Sequence, residues 1–261
     1  MSLLWKKICY CQQDAGDKLD IAQWEKILEA ASARPEKVIK ALGMKRTVKA
    51  WIEPWGYVCV REYRWDFKRR LETLVRKSRG ERIWEYSPEL LAKGILVQRP
   101  LVFFEKRYAG VLVKTWLATP WLEKKTDLGS LAMDMEFRGT SEFRLLLQAC
   151  AEMVARLHDA NFLHGDLKWS NFLCIDDRSR VLLSDLDGIR RSDSTALKAI
   201  DFARFVLSVF QYDLGDALAD ALINIYLSAR QKVSEDLKEA IENRVSKRRT
   251  HYLNKPLLPR H

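Results

Sequence analysis

The chain has 261 residues, 48% of them hydrophobic, with 11 Gly and 7 Pro. That is ample apolar material for a packed core and too little Gly and Pro for long low-complexity segments, while a formal net charge of +10 calls for an anionic partner. No run approaches the ~20 apolar residues of a membrane span, the opening Met1-Ser2-Leu3-Leu4-Trp5-Lys6-Lys7 has the wrong order for a secretory signal, and the five cysteines (Cys9, Cys11, Cys59, Cys150, Cys174) lack C-x-x-C or metal-ligand spacing, as expected of reduced thiols in a cytosolic protein.

Taken in chain order, residues 18–45 read as two short helices. Asp20 caps the first with Gln23 reaching back to it, and Ile21, Trp24, Leu28 and Ala31 form its apolar stripe. Pro35 suits the first turn of the second helix and Gly43 its end, so residues 1–46 are expected to be a helical extension. The period then changes. Val48, Ala50 and Ile52 alternate, Pro54-Trp55-Gly56 turns, and Tyr57 to Tyr63 returns as a strand. A helix is expected within about 66–92, ending near Gly94. Leu101 to Phe104 and Val111 to Val113 then pair about Tyr108-Ala109-Gly110.

Leu146, Cys150, Met153 and Leu157 recur at helical spacing, which predicts a helix over about 142–160. It feeds His164-Gly165-Asp166-Leu167-Lys168-Trp169-Ser170-Asn171. Beyond it, Phe172 to Ile175 and Val181 to Leu183 flank the polar turn Asp176 to Ser179, a hairpin that runs into Ser184-Asp185-Leu186-Asp187-Gly188. The eight residues spell H-x-D-x-K-x-x-N, similar to the catalytic loop of protein-kinase-like phosphotransferases. An Asp in this place accepts a proton from an attacking hydroxyl, the Lys neutralises the phosphoryl group in transfer, and the Asn holds Mg²⁺, with a second metal-binding Asp after the hairpin.

This pattern predicts an α+β, bilobal protein-kinase-like fold with a small N-terminal β-rich lobe and a larger, mainly helical C-terminal lobe. Residues 47–118 are the nucleotide-binding lobe and 119–261 the catalytic lobe. Thr119-Pro120-Trp121-Leu122 falls where the chain crosses over, and its backbone groups are expected to meet an adenine ring. Arg61 stands where kinases carry the Lys of V-A-I-K that pairs with the α/β-phosphates. Its acidic partner is expected from the next helix, as Glu81 in preference to Glu85. There is no G-x-G-x-x-G, and Gly56 is the only glycine of the hairpin over 48–63.

From about Thr47 to Phe210 the chain resembles the bacterial lipopolysaccharide-core kinases, the Kdo and heptose kinase (WaaP-like, InaA-like) family. The resemblance rests on His164 to Asn171, Asp185-Leu186-Asp187, Arg82-Ile83-Trp84, Leu90 to Ile95 and Asp201-Phe202-Ala203-Arg204-Phe205. It implies ATP and Mg²⁺ as cofactors, Asp166 as base, Lys168 as the phosphoryl-contacting cation, Asn171 and Asp185 as metal ligands, and Asp201 as a brace behind the loop. Arg61 in place of a lysine is its main departure.

A non-protein acceptor is favoured by the dozen or so residues between Gly188 and Asp201, too few for a peptide-holding segment, and by the lack of an A-P-E. Gly165 stands where a phospho-reading Arg would be. Basic residues concentrate in Arg61 to Arg82 and in the tail after Asn243 (Arg244, Lys247, Arg248, Arg249, Lys255, Arg260). The first run suits anion docking and the second attraction to a membrane surface. The expected partners are therefore ATP and lipopolysaccharide core or a related anionic glycolipid. Contact with the cytoplasmic face of the inner membrane would be peripheral, and no nucleic acid is expected. The competing readings are a kinase of a protein or another small hydroxylated substrate, and a nucleotide-binding pseudokinase with a scaffolding role. Phosphate transfer to core oligosaccharide separates the first reading from the second, and nucleotide binding without turnover on any acceptor singles out the third.

Overall fold

The structure is a computed structural model and describes residues 5–11, 19–64 and 77–253. The chain divides into two compact units, residues 1–88 with 98–123, and residues 89–97 with 124–261.

The first unit is built on six antiparallel strands in the order β1-β5-β6-β4-β3-β2. They are β1 (Trp5–Cys11), β2 (Lys37–Leu42), β3 (Lys45–Ile52), β4 (Gly56–Arg64), β5 (Val102–Tyr108) and β6 (Val111–Pro120). The period of two sends Val48, Ala50, Ile52, Val58, Val60, Val102, Phe104, Trp116 and Ala118 to one face, where helix α1 (Ile21–Ala33) covers them with Trp24, Leu28 and Ala31. The capping box forms as the sequence predicts. Asp20 Oδ1 accepts the Gln23 N–H at 2.7 Å, and Gln23 Oε1 accepts the Asp20 N–H at 2.7 Å. Helix α2 (Arg79–Ala92) lies close against the opposite face. A Cβ on Gly80 would stand 2.7 Å from the Phe103 ring and 2.9 Å from Thr115, so only glycine admits the approach.

Two expectations are corrected here. Residues 37–42 form β2, not a second helix, so the stretch 1–46 contributes two strands to the main sheet besides its one helix. The reason is non-local: β3 offers an open edge, and Leu42 pairs with Lys45 across the two-residue turn Gly43-Met44, with Gly43 at φ +52°. All six β2 residues are exposed, as an edge strand allows. The helix expected within 66–92 is seen from Arg79, and residues 66–76 of that expectation lie outside the described residues.

The second unit holds a three-stranded sheet in the order β10-β9-β7, from β7 (Lys125–Asp127), β9 (Phe172–Ile175) and β10 (Arg180–Leu183), and a pair of β8 (Phe162–Leu163) with β11 (Arg190–Arg191). Its helices are α3 (Leu128–Met133), α4 (Ser141–Asp159), α5 (Thr195–Gln211), α6 (Asp216–Ala229) and α7 (Glu235–Leu253). Phe143, Leu147, Cys150, Val154 and Leu157 make the buried stripe of α4 and anchor the chain entering the loop. Leu237, Ile241 and Val245 repeat every four residues and bury one stripe of α7. Among the described residues no helix is long and apolar enough to cross a membrane.

Candidate active site

Between β8 and β9 the chain bends at Gly165 and closes a short 3-10 turn over Trp169–Asn171, and burial alternates along residues 166–169. Leu167 and Trp169 are buried at 0% and 1% exposure, and Asp166 and Lys168 between them remain half-exposed. Trp169 stacks on Tyr212 with centroids 5.4 Å apart and meets Phe143 edge-on at 6.1 Å. Two apolar anchors therefore hold two charged groups toward solvent. Lys168 Nζ lies 2.6 Å from Asp166 Oδ2. Asn171 Nδ2 donates to the Asp166 carbonyl at 2.8 Å and to Asp166 Oδ2 at 3.3 Å. With its amide nitrogen so engaged, Asn171 keeps Oδ1, a hard oxygen donor, for a cation. Partial burial alone would raise the Asp166 carboxyl, but the hydrogen bond and charge of Lys168, with Asn171 and His164, outweigh it and hold it below the ordinary carboxylate range. The group is thus ionised at neutral pH and able to accept a proton.

Behind the loop, Asp201 of α5 accepts the N–H of His164 at 2.7 Å and of Gly165 at 2.9 Å. Burial would raise this carboxyl, and His158, His164 and the backbone bond lower it further than burial raises it. His158 is wholly buried, which pushes its ring toward the neutral form against the pull of Asp201. A neutral ring can donate only once. With Nε2 3.4 Å from Asp201 Oδ2, that proton belongs on Nε2, and Nδ1 accepts from the Tyr226 hydroxyl at 2.6 Å. Arg230 donates to the same hydroxyl at 2.6 Å and to Asp159 at 2.6 Å. Arg204 donates to the Gly165 carbonyl. The loop backbone is therefore fixed by one continuous network reaching from α6 to Gly165.

The strand pair β9-β10 brings Asp185 to the same place. Ser184 donates from N and Oγ to the Asn171 carbonyl at 2.8 and 3.0 Å. Asp185 takes a left-handed conformation, φ +55°, which turns the chain sharply after β10. The loop after it approaches the catalytic loop closely: a Cβ on Gly188 would lie 2.6 Å from the His164 carbonyl oxygen, and one on Gly165, at φ +85°, 3.1 Å from the Gly188 carbonyl. The glycine at 165 is thereby explained by backbone contact. Among the described residues no three His, Cys, Asp or Glu side chains converge as a ready-made cage. Mg²⁺ is commonly held by one or two carboxylates with waters and phosphate oxygens, and the Asn171 amide oxygen with a nearby carboxylate fits that donor set.

In the first unit Arg61 sits half-buried on β4, opposite Thr47 of β3 and Leu117 of β6. Glu81 opens α2, its N–H received by Ser78 Oγ at 3.1 Å. Burial, then Glu105 and Glu85, push its carboxyl up against the opposing Lys77 and Arg107. Glu85 is engaged by Lys77 as an ion pair, which leaves Glu81 the better candidate of the two for a phosphate-contacting cation. Thr119 is 2% exposed with its hydroxyl unpartnered, a buried polar atom that a ligand would satisfy. The main-chain N–H of Trp121 donates to the Tyr57 carbonyl at 3.0 Å, so of its backbone groups the carbonyl is the one left for an adenine. Sequence reasoning also missed the Gly43-Met44 turn. It joins β2 to β3, and Lys45 and Arg46 follow it directly. Two β-branched residues, Val38 and Ile39, before a glycine were the available signal.

Comparison with known proteins identifies the family. Residues 67–226, more than half of the chain, match the lipopolysaccharide kinase (Kdo/WaaP) family. No curated protein matches the sequence closely. Among solved structures the chain is similar to WaaP in complex with acyl carrier protein, with a TM-score of 0.65 and 19% identity over 92% of this chain and 98% of that one. The Mycobacterium tuberculosis PknI kinase domain follows at TM-score 0.45 and 13% identity, over 80% of this chain and 94% of that one. The first likeness shows the protein-kinase-like fold of mixed helix and strand that the sequence predicts. The chain belongs to the lipopolysaccharide kinase (Kdo/WaaP) family of phosphotransferases.

Proposed function

We propose that the protein transfers the γ-phosphate of ATP to a hydroxyl of a lipopolysaccharide inner-core sugar, a heptose or Kdo. The observation that carries this reading is the convergence of Asp166, Lys168 and Asn171 within hydrogen-bonding distance of one another on a braced loop. Asp166 Oδ takes the proton of the acceptor hydroxyl as its oxygen attacks the γ-phosphorus and the bond to ADP breaks. Lys168 then exchanges its contact with Asp166 for the phosphoryl oxygens and spreads their charge. Asn171 and Asp185 would hold Mg²⁺, which would neutralise charge on the phosphates. Asp185 is chosen over Asp187 because it directly follows Ser184, which is tied to Asn171. Arg61, supported by Glu81, holds the donor phosphates, and the Thr119 hydroxyl and nearby backbone the base.

The net charge of +10 supports peripheral docking on the cytoplasmic face of the inner membrane, where an anionic glycolipid acceptor is presented. The test is transfer of labelled γ-phosphate from Mg-ATP to purified core oligosaccharide, with Asp166→Asn alongside. Label that vanishes in the variant is expected. Retained transfer in the variant removes Asp166 from the mechanism. No transfer by the parent protein, with ATP bound, moves the function to another acceptor or to a non-catalytic role.

A further inference from the structure

A cleft beside the proposed base carries charged residues that the transfer step does not use. It has a volume of about 400 Å³ and is lined by Asp166 and Lys168 of the loop, Arg204 of α5, and Arg244, Arg248 and Tyr252 of α7. That volume lies in the lower part of the ~300–1,000 Å³ range of small-molecule sites and holds a group of monosaccharide size. Its wall from α7 is a helical stripe, since residues 244, 248 and 252 follow one another at intervals of four, beside the buried stripe of Leu237, Ile241 and Val245.

The cations of this cleft differ in what they already hold. Lys168 is on Asp166 and Arg204 on the Gly165 carbonyl. Arg249, the neighbouring basic residue of α7, is spent on Asp216 at 2.6 Å and on the Phe210 ring at 4.7 Å. Arg244 and Arg248 have no carboxylate within ion-pair distance among the described residues. They are like charges one turn apart, an arrangement that lowers helix stability unless an anion sits between them. Arginine also presents a planar fork that matches carboxylate and phosphate oxygens two at a time.

We propose that Arg244 and Arg248 bind an anionic substituent of the acceptor, a carboxylate or phosphate, and so select an acidic sugar and orient its hydroxyl toward Asp166. The inference rests on the reading of Asp166 as the base and deepens it. It also divides the basic tail. Two of its residues face the cleft, and Lys247, on the same helix, is exposed and outside the lining.

The experiment uses the full chain with core oligosaccharide in three forms: native, carboxyl-reduced and dephosphorylated. The Michaelis constants for acceptor and ATP, kcat, and calorimetric affinity for the acceptor are measured for the parent, Arg244→Ala, Arg248→Ala, Arg244→Lys and Lys247→Ala. Each alanine variant is expected to raise the acceptor KM and Kd on the order of tenfold with the ATP KM unchanged. Arg244→Lys recovers part of the loss and Lys247→Ala shows none. Removing the recognised anion from the acceptor should weaken the parent as much, with little further loss in the arginine variants. Whichever of the two modified acceptors does this identifies the anion as carboxylate or phosphate.

The proposal is overturned if the alanine variants match the parent, if Lys247→Ala is equally impaired, or if both modified acceptors serve as well as the native one. A parent that binds core through both arginines without phosphorylating it would instead remove the catalytic reading and keep the cleft. A parent that binds no core removes the cleft proposal.

Discussion

His164 donates from Nε2 to the carbonyl oxygen of Ser184 across 2.8 Å, while its Nδ1 accepts the Asp166 N–H at 3.2 Å. The ring is fully buried and acts as a strut from the loop that carries the base to the residue before Asp185. A His164→Phe variant keeps the buried ring and loses both bonds. It should cost about 1–3 kcal/mol of stability and raise the Mg²⁺ concentration needed for half-maximal rate. Thermal melting and a metal titration of the rate check both; an unchanged metal titration would mean the strut does not place Asp185.

Gly188 meets the His164 carbonyl backbone to backbone, so an added methyl has no flexible neighbour to displace. Gly188→Ala is expected to part the two loops and lower kcat at least tenfold, with the far-ultraviolet spectrum retained. Gly139→Ala is the control, since a Cβ there meets nothing within 4 Å. Equal rates for the two variants would contradict the close approach.

Asp166→Asn removes the proton acceptor and leaves its shape. The expected loss is about 10²–10⁴-fold in kcat, with ATP affinity nearly unchanged by direct binding. Because Lys168 and its neighbours outweigh burial and hold this carboxyl below the ordinary range, the base should remain ionised to lower pH than an unperturbed aspartate, and Lys168→Met should move the acid limb of kcat/KM upward. Asp185→Ala should abolish Mg²⁺-dependent nucleotide binding and Asp187→Ala should not; the reverse result exchanges the two.

Stability should respond to acid before activity does. Burial is the first cause that lowers the His158 pKa, Arg230 and Lys198 add to it, and Asp201 opposes. The unfolded chain, with His near ~6.5, therefore binds the proton first as pH falls. The stability that the neutral ring contributes is complete above that value and is lost progressively below it. Melting temperature should fall between about pH 7 and 5.5, and His158→Gln should flatten that slope. Asp201 acts in a separate window: its depressed carboxyl stabilises above the unfolded value of ~3.9 and loses that contribution below it.

The proposed catalytic loop could be picked out because the chemistry it matches imposes a spacing on consecutive residues, and buried Leu167 and Trp169 alternate with half-exposed Asp166 and Lys168. The Asp20–Gln23 cap was legible for the same reason, being complete within four residues. Strand β2 was not, because Pro35 before it and Gly43 after it punctuate a helix and a hairpin alike, and the open edge of β3 decides between them. The engagement of the Trp121 N–H depends on Tyr57, far away in sequence. Arg244 and Arg248 read as part of an undivided basic run, since only packing against α5 shows which side of α7 faces the cleft.

The family match ends at residue 226, and α7 begins at Glu235. The α7 side of the cleft thus lies outside the stretch that the family match covers, while Asp166, Asn171 and Asp185 lie inside it. The proposed acceptor contacts and the proposed phosphoryl-transfer groups thus sit on separate elements, the first on α7 and the second on the loop and hairpin of residues 164–185. A chimera that exchanges only this last helix between two such kinases is the natural way to retarget one of them.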